Sequence, residues 1–307
     1  MTTKVIITGG NGYVGTALVR KLVRSGVEVH AIVHRNSDNL SLLLPADFMH
    51  EISNDLLAIT TLVQQVQPSA VFHLAAIHAE PPTFNDMLSM LNSSIMLGAA
   101  LLHGATLCNH PPVFVNTGTY WQFGEGQQGY SPNTCYSAVK QGMHDLLIYF
   151  RRSHRIRAVT MVLYDIFGPD DSRPKLWTKL AQADAGSRFP VTEGRQYIEL
   201  VHVDDVVQAL LLAANELASG VYMESVYAVR SKARLTLREL LEKIHEKAGL
   251  DLEFVWGGIE YWPGQIFDPW QGNCLPGWQP LIDPVEGVTR LVCDAAALRY
   301  AEPKGSL

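Results

Sequence analysis

Three glycines near the N-terminus stand between a β-branched run and an amphipathic helical pattern. Residues 4–8 read Lys-Val-Ile-Ile-Thr, which is typical of a strand buried in a parallel sheet. Gly9, Gly12 and Gly15 follow, and the helical pattern ends near Gly26. In such a strand–turn–helix unit the first glycine permits the tight turn, the second admits a pyrophosphate and the third lets the helix pack on the strand. The pattern predicts a dinucleotide site at the helix N-terminus.

The end of the second predicted strand bears on the choice of cofactor. This strand spans residues 27–33 and is followed by His34 and Arg35, with no carboxylate before Asp38. An NAD site usually presents an acid there to the ribose 2′-hydroxyl, whereas a guanidinium suits a 2′-phosphate. We therefore expect NADP(H), with NAD as the alternative cofactor. The alternative interpretation of Arg35 is an exposed loop arginine.

Strands and helices go on alternating as far as Pro169. This alternation predicts an α/β fold, a Rossmann-type doubly wound parallel sheet with a smaller, mixed C-terminal substrate domain. We expect 1–167 to form the dinucleotide-binding domain, with 198–223 returning to it, and 168–197 and 224–307 to form the substrate-binding domain. Further strands are predicted at 70–76, 113–117 and 158–164, and long helices at 86–103 and 132–150.

Composition excludes several classes of function. The chain of 307 residues has a formal net charge of -6 and no conspicuous cluster of basic residues, so we expect no nucleic-acid partner. Four dispersed cysteines and scattered histidines predict neither a disulfide framework nor a metal site. No apolar run looks long enough to span a membrane. We expect a cytoplasmic protein with no membrane partner.

Tyr136 and Lys140 stand four residues apart in the predicted helix 132–150. Ser131 as N-cap and Pro132 as the first helical residue would start this helix, so the pair should share one face. A neighbouring ammonium favours the phenolate and would lower the pKa of Tyr136 from about 10. The pair could pass a proton to or from a hydroxyl or carbonyl. The same spacing also occurs by chance on surface helices.

Taken together, these motifs resemble the extended short-chain dehydrogenase/reductase family, in its branch of nucleotide-sugar epimerases, dehydratases and 4-ketoreductases. The resemblance implies that Thr119, five residues before Gly124, forms a catalytic group with Tyr136 and Lys140, with Thr117 as the competing hydroxyl. It also implies a homodimer through the two long helices and a small nucleotide-sugar substrate. The segments that carry the resemblance are 8–15, 73–76, Asn92, 136–140, 167–169, 201–205, 278–280 and 286–287.

The resemblance and the predicted strand ends together imply two sets of binding residues. The cofactor set is Gly9, Asn11, Gly12, Tyr13, Val14, Gly15, His34, Arg35, Ile52, Leu74, Ala75, Ala76, Asn92, Thr117, Tyr136, Lys140, Leu163 and Ile166. The substrate set is Thr119, Tyr120, Trp121, Asp165, Arg173, Lys175 and Arg195. Solvated surface charge is the alternative for each cation of the substrate set.

Departures from the family pattern narrow the expected reaction. The 4,6-dehydratases carry an Asp-Glu pair where this chain has Tyr120 and Trp121, which argues against elimination of water. Asp165 replaces a usual asparagine, and Ile198 and Trp262 stand where diphosphate-binding arginines are usual. We expect an NADPH-dependent reductase of a nucleotide-linked 4-keto-deoxysugar, similar to CDP-linked dideoxyhexose 4-ketoreductases of the paratose/abequose synthase type. The alternatives are an NAD-dependent nucleotide-sugar 4-epimerase and a non-catalytic NADP-binding sensor.

Overall fold

The computed structural model describes residues 3–33, 38–51, 55–126, 129–221 and 223–301. Its strands are β1 (Lys4–Thr8), β2 (Glu28–Val33), β3 (Met49–Glu51), β4 (Ala70–His73), β5 (Val113–Thr119), β6 (Ala158–Leu163), β7 (Asp165–Phe167), β8 (Ser187–Val191), β9 (Tyr197–Ile198), β10 (Leu200–His202), β11 (Val226–Val229), β12 (Leu235–Thr236) and β13 (Leu252–Trp256). Its helices are α1 (Tyr13–Arg24), α2 (Asp38–Ser41), α3 (Leu56–Val66), α4 (Phe84–Leu91), α5 (Leu97–Thr106), α6 (Cys135–Ser153), α7 (Leu176–Ala181), α8 (Val203–Ser219), α9 (Leu237–Ala248) and α10 (Pro284–Ala301).

Seven strands form one sheet in the order β3-β2-β1-β4-β5-β6-β11, and every neighbouring pair is parallel. The chain order reverses between β1 and β4, which makes a crevice beyond the carboxyl ends of these strands. Helices α1 and α8 pack on one face, and α3 and α5 pack on the other. The expected Rossmann-type doubly wound sheet is therefore confirmed.

The two faces of the sheet bury separate apolar clusters. Ile7 of β1 joins Leu18 of α1 and Leu210 of α8 on one face. Ile6 joins Leu101 of α5 on the other face, because successive strand side chains point to opposite sides. Each fully buried Leu or Ile side chain contributes about 1.5–3 kcal/mol. These clusters hold the carboxyl edge of the sheet in place for the site that it carries.

A third cluster joins α7, α9 and α10 beyond the large sheet. The strand pairs β8–β13, β9–β12 and β10–β7 extend this part of the molecule. Strand β11, which the expected division assigned to the substrate-binding domain, pairs with β6 in the large sheet. Helix α10 was not predicted. Its first turn is capped by Asp283, whose carboxylate accepts the backbone N–H groups of Val285 and Glu286 at 2.9 and 3.1 Å.

Two helices differ from the sequence-based prediction. Helix α6 begins at Cys135 rather than at Pro132, because the Thr134 hydroxyl caps it by accepting the Ser137 N–H at 3.1 Å. The helical stretch Phe84–Thr106 has 23 residues and is apolar enough to cross a membrane by length and composition, contrary to the expectation that no such run exists. It comprises α4, a π-helical turn and α5, and α5 packs on α3 in the second cluster.

Candidate active site

The glycine turn leaves the start of α1 open to an anion. Gly9 has a φ of +69°, and a Cβ there would lie 2.9 Å from the Cα of Ala75. A Cβ on Gly15 would lie 2.0 Å from the Gly9 carbonyl oxygen, so this glycine packs the helix against the turn itself. The N-cap is Gly12, which offers no side-chain acceptor, and the first turn contains no acidic residue. The backbone N–H groups of this turn can therefore bind a phosphate oxygen.

A cavity of about 280 Å³, called here the cofactor cavity, extends from this turn to helix α6. It is lined by residues predicted for the cofactor, which are Gly9, Gly12, Tyr13, Val14, Gly15, Leu74, Ala76, Thr117, Tyr136, Lys140, Leu163 and Ile166, together with Thr119. Gly118, Tyr164 and Arg173 also line it and were not predicted for the cofactor. An anion-binding turn at one end and polar groups at the other fit an elongated dinucleotide.

Three described residues of the predicted cofactor set do not line the cavity. Asn11 and Asn92 are exposed and do not line the cavity, whereas Ala75 is buried beneath Gly9 and supports the turn. His34, Arg35 and Ile52 fall outside the described residues.

Lys140 is buried at the far end of the cofactor cavity, with 1% of its surface exposed. Its Nζ donates to the Thr117 carbonyl oxygen at 2.9 Å and to Thr117 Oγ1 at 3.3 Å. Burial lowers the pKa of the ammonium from 10.5 to about 8. Strand β5 therefore fixes the position of the lysine, and the group sits close to its titration range at neutral pH.

The pKa of Tyr136 moves in the direction opposite to the sequence-based expectation. The phenol is half-buried at the cavity wall, and desolvation raises its pKa to about 12. Lys140 Nζ lies 6.0 Å from the ring centroid and is bonded to Thr117 instead. The expected lowering of the Tyr136 pKa by Lys140 is thus wrong. Tyr136 keeps its proton at neutral pH and can act as a proton donor.

Two threonines of β5 line the cofactor cavity together with Tyr136, and their hydroxyls differ in availability. Thr117 Oγ1 donates to the His73 carbonyl oxygen at 3.2 Å and accepts from Lys140. Thr119 Oγ1 accepts the Trp121 N–H at 3.4 Å, and no described residue accepts its O–H. Thr119 can therefore donate a hydrogen bond into the cavity, whereas Thr117 is engaged within the protein. The geometry favours Thr119 over Thr117 as the reactive hydroxyl.

His73 connects the sheet to the π-helical turn between α4 and α5. Its Nε2 lies 2.9 Å from the Ser94 carbonyl oxygen, so this nitrogen carries the proton. Its Nδ1 then accepts the hydroxyl of Thr8 at 2.8 Å. Burial, with Lys140 as the smaller cause, lowers the pKa of His73 to about 3. The ring stays neutral and ties the end of β1 to the helix beside the cavity.

A second cavity has a volume of about 220 Å³. It is lined by Tyr120, Trp121, Asp165 and Lys175 of the predicted substrate set, with Leu176, Trp177, Gln196, Tyr197, Ile198, Leu237, Trp262, Gln265 and Ile266. Tyr120 and Asp165 adjoin Thr119 and Tyr164 in the chain, which line the first cavity. The Tyr120 hydroxyl donates to Asp165 Oδ2 at 3.3 Å, and burial raises the pKa of Asp165.

Arg173 and Arg195, both predicted for the substrate, lie outside this second cavity. Arg173 lines the cofactor cavity. Arg195 lines neither cavity and forms an exposed ion pair with Glu193 at 2.8 Å. Sequence spacing could not separate these cases, because both arginines lie in the same irregular segment.

His78 was missed by the sequence analysis, although it lies beside Tyr136. Their ring centroids are 5.3 Å apart, edge to face, and His78 also contacts Trp121 at 5.4 Å. Trp121 in turn lies 5.6 Å from Trp262. The signal available in the sequence was the position of His78 in the loop after β4, at the ligand-binding edge of a parallel sheet. The four rings form one aromatic cluster, of which Tyr136 lines the cofactor cavity and Trp121 and Trp262 line the second cavity.

A family model described as the NAD dependent epimerase/dehydratase family matches residues 5–228. The chain belongs to this family. The match includes the glycine turn, the end of β5 and the helix with Tyr136 and Lys140. Members act on nucleotide sugars as oxidoreductases, epimerases and dehydratases, and the family is named for its dependence on NAD.

Among characterised family members, CDP-abequose synthases are similar along most of their length. The enzyme of Yersinia pseudotuberculosis is 24% identical over 270 residues, covering 87% of this chain and 91% of the relative. The enzyme of Salmonella typhimurium is 25% identical over 296 residues, covering 94% and 97%. A dTDP-glucose 4,6-dehydratase of Salmonella typhimurium is 24% identical over 253 residues, covering 71% and 70%.

Solved structures of the family share the fold. UDP-glucose 4-epimerase of Thermotoga maritima superposes with a TM-score of 0.79 at 21% identity, covering 96% of this chain and all of that one. A UDP-glucuronic acid 4-epimerase variant from Bacillus cereus, solved with NAD, superposes with a TM-score of 0.77 at 17% identity over 96% of this chain and all of that one. At these identities the likeness concerns the fold alone.

Proposed function

We propose that this protein is an NADPH-dependent reductase of a nucleotide-linked 4-keto-deoxysugar. The observation that carries the proposal is the meeting of Thr119, Tyr136 and Lys140 in one cavity with the glycine turn. When bound, the reduced nicotinamide supplies a hydride to the C4 carbonyl. The carbonyl becomes a hydroxyl and NADPH is oxidised to NADP+.

Tyr136 would donate its proton to the oxygen that develops at C4. Its raised pKa means that the phenol is protonated at neutral pH, as a donor must be. Thr119 would donate a hydrogen bond to the same oxygen, since its O–H is available. Lys140, held by Thr117, would position the nicotinamide ribose and favour return of a proton to Tyr136 from solvent. These roles need no residue outside the described part of the site.

The second cavity would receive the nucleotide sugar. Its aromatic side chains offer flat apolar surfaces on which a base or a sugar ring can stack. Lys175 supplies a cation at its edge for a phosphate. Tyr120 and Trp121 stand where an acid pair would serve dehydration, and the similarity to CDP-abequose synthases agrees with a reductive reaction. A CDP-linked 4-keto-6-deoxyhexose is therefore the substrate to test first.

The proposed preference for NADPH rests on Arg35. It follows β2, which pairs with β1 beside the glycine turn. A guanidinium there suits a 2′-phosphate and cannot accept the 2′-hydroxyl of NAD. Arg35→Asp should therefore raise the Kd of NADPH relative to the Kd of NADH. Titration with both nucleotides would measure the two Kd values.

A homodimer is proposed through the outer faces of α4 and α6. Phe84, Leu88 and Leu91 recur at helical spacing on α4 and expose 69%, 42% and 39% of their surface. Tyr149 of α6 is 54% exposed. An apolar stripe of this kind is typical of an interface between subunits.

Oxidation of NADPH with a panel of 4-keto nucleotide sugars tests the proposed reaction. We expect loss of absorbance at the NADPH band with one class of 4-keto-deoxysugar and a 4-hydroxy product by NMR. A protein that carries tightly bound NAD and interconverts C4 epimers, without consuming NADPH, would show the epimerase instead. Binding of NADPH without oxidation by any substrate of the panel would favour a sensor.

A further inference from the structure

Arg173 lies at the glycine-turn end of the cofactor cavity, although it belongs to the segment between β7 and α7. Its Cζ atom is 4.6 Å from the ring centroid of Tyr13, the first residue of α1. It lines the cavity together with the glycines of the turn. The same segment is bonded to α1 a second time, since Arg20 donates to Asp170 at 3.3 Å. This segment thus runs alongside the first two turns of α1.

The guanidinium of Arg173 is held on one edge and open on the other. Its Nε and Nη2 donate to the two oxygens of the Asp171 carboxylate at 2.7 and 2.8 Å. Nη2 also donates to the Ile166 carbonyl oxygen at 3.4 Å. The Asp171 side chain is 5% exposed, so burial holds the carboxylate that accepts this fork in place. No described residue accepts a hydrogen bond from Nη1, which leaves its two N–H groups for a ligand.

Two described residues that line the cofactor cavity carry a positive charge, namely Arg173 and Lys140. Lys140 is at the opposite end and is bonded to Thr117. The first turn of α1 adds partial positive charge and contains no acid. Arg173 is therefore the side-chain cation that stands beside the predicted place of a diphosphate.

We propose that Arg173 binds the diphosphate of the dinucleotide and closes the glycine turn from the substrate side. The Asp171 pair and the Tyr13 ring orient the guanidinium so that Nη1 faces the phosphate oxygens. This assignment differs from the sequence-based expectation, which gave Arg173 to the substrate. It rests on a dinucleotide site but not on the identity of the sugar substrate.

Titration of the protein with NADPH and with ADP-ribose, followed by fluorescence and calorimetry without a sugar substrate, tests this assignment. Arg173→Ala should raise the Kd of both ligands about 10-fold or more, because a charge-assisted hydrogen bond is lost. Arg173→Lys should give intermediate affinities, since it keeps the charge but loses the fork. The difference in Kd between Arg173→Ala and the unaltered protein should become smaller as salt is added.

Arg188→Ala is the matched control. Arg188 lies on β8, is 70% exposed in a pair with Glu253 and lines neither cavity. Arg188→Ala removes the same charge as Arg173→Ala and should leave the Kd values of NADPH and ADP-ribose unchanged.

Equal affinities of Arg173→Ala and the unaltered protein for both ligands would overturn the assignment while leaving the proposed function intact. So would a Kd change that is the same at low and high salt, which indicates a structural role. An unaltered protein that binds neither NADPH nor NADH would overturn both the assignment and the proposed function.

Discussion

Burial sets the protonation states of the two ionisable groups that share the face of α6. Tyr136 is kept neutral by a pKa of about 12. The pKa of Lys140 is lowered to about 8, so its ammonium titrates just above neutral pH. Sequence spacing places both on one helix but does not reveal the acceptors of Lys140, which come from Thr117 on β5. The rise in the pKa of Tyr136 could therefore not be predicted from the sequence.

Replacing Tyr136 by Phe removes the proposed proton donor and keeps the ring. We expect kcat to fall by about 10²–10⁴-fold, the contribution of a positioned general acid, with the Kd of NADPH nearly unchanged. Steady-state kinetics and fluorescence titration measure the two quantities. Near-normal turnover would exclude Tyr136 as the donor.

The buried ammonium of Lys140 predicts a pH dependence of stability. Its pKa is about 8 in the folded protein and 10.5 by its ordinary value, so the unfolded chain binds more protons between these limits. The free energy of unfolding should rise with pH in this window relative to Lys140→Met, by up to about 1.4 kcal/mol per pH unit. Urea denaturation of both proteins from pH 7.5 to 9.5 measures the difference. If the free energy of unfolding varies with pH in the same way for both proteins, the lowered pKa of Lys140 is contradicted.

Helix α6 carries the proposed reactive pair, Tyr136 and Lys140, so its start determines where Tyr136 lies. The glycine turn and most sheet strands could be predicted, because their signals are local runs and spacings. The start of α6 could not, because Ser131 instead donates its N–H to the Gln122 carbonyl oxygen at 2.9 Å and helps to close the loop at Gly124. Helix α10 was missed because it directly follows a segment rich in Trp, Pro and Gly, and the prediction extended that segment over it.

Loss of the Thr134 cap should disturb both stability and activity. We expect Thr134→Ala to lower the free energy of unfolding by about 1 kcal/mol and to lower kcat, because Tyr136 stands two residues inside the helix. Thr83→Ala removes the equivalent cap of α4, which carries neither reactive residue. Thr83→Ala should lower the free energy of unfolding by a similar amount and leave kcat unchanged. Equal kcat values for the two variants would contradict the positioning role of the cap.

At the scale of the whole molecule, the second part of the chain contributes to both cavities. Lys175 and Trp262 line the second cavity, and Arg173 lines the cofactor cavity. Family resemblance pointed to the proposed reactive residues at the sheet edge, whereas these tertiary placements depend on how an irregular segment folds back. Arg173 was consequently expected at the substrate.

The proposed dimer predicts a change in assembly from one substitution. Leu88→Glu places a charge within the apolar face of α4, so we expect the mass in solution to fall from dimer to monomer. Leu42→Glu, at a residue 86% exposed and distant in sequence from α4 and α6, is the control and should keep the mass of the unaltered protein. Light scattering coupled to size-exclusion chromatography measures both. An unaltered protein that is monomeric would contradict the proposal.

Transfer of deuterium from external cofactor to product tests the reductase assignment most directly. NADPH deuterated at both positions of nicotinamide C4 would be incubated with the 4-keto nucleotide sugar that the protein accepts. We predict one deuterium at C4 of the product and one NADP+ formed per product molecule. A product without deuterium, formed with no net oxidation of NADPH, would contradict the account.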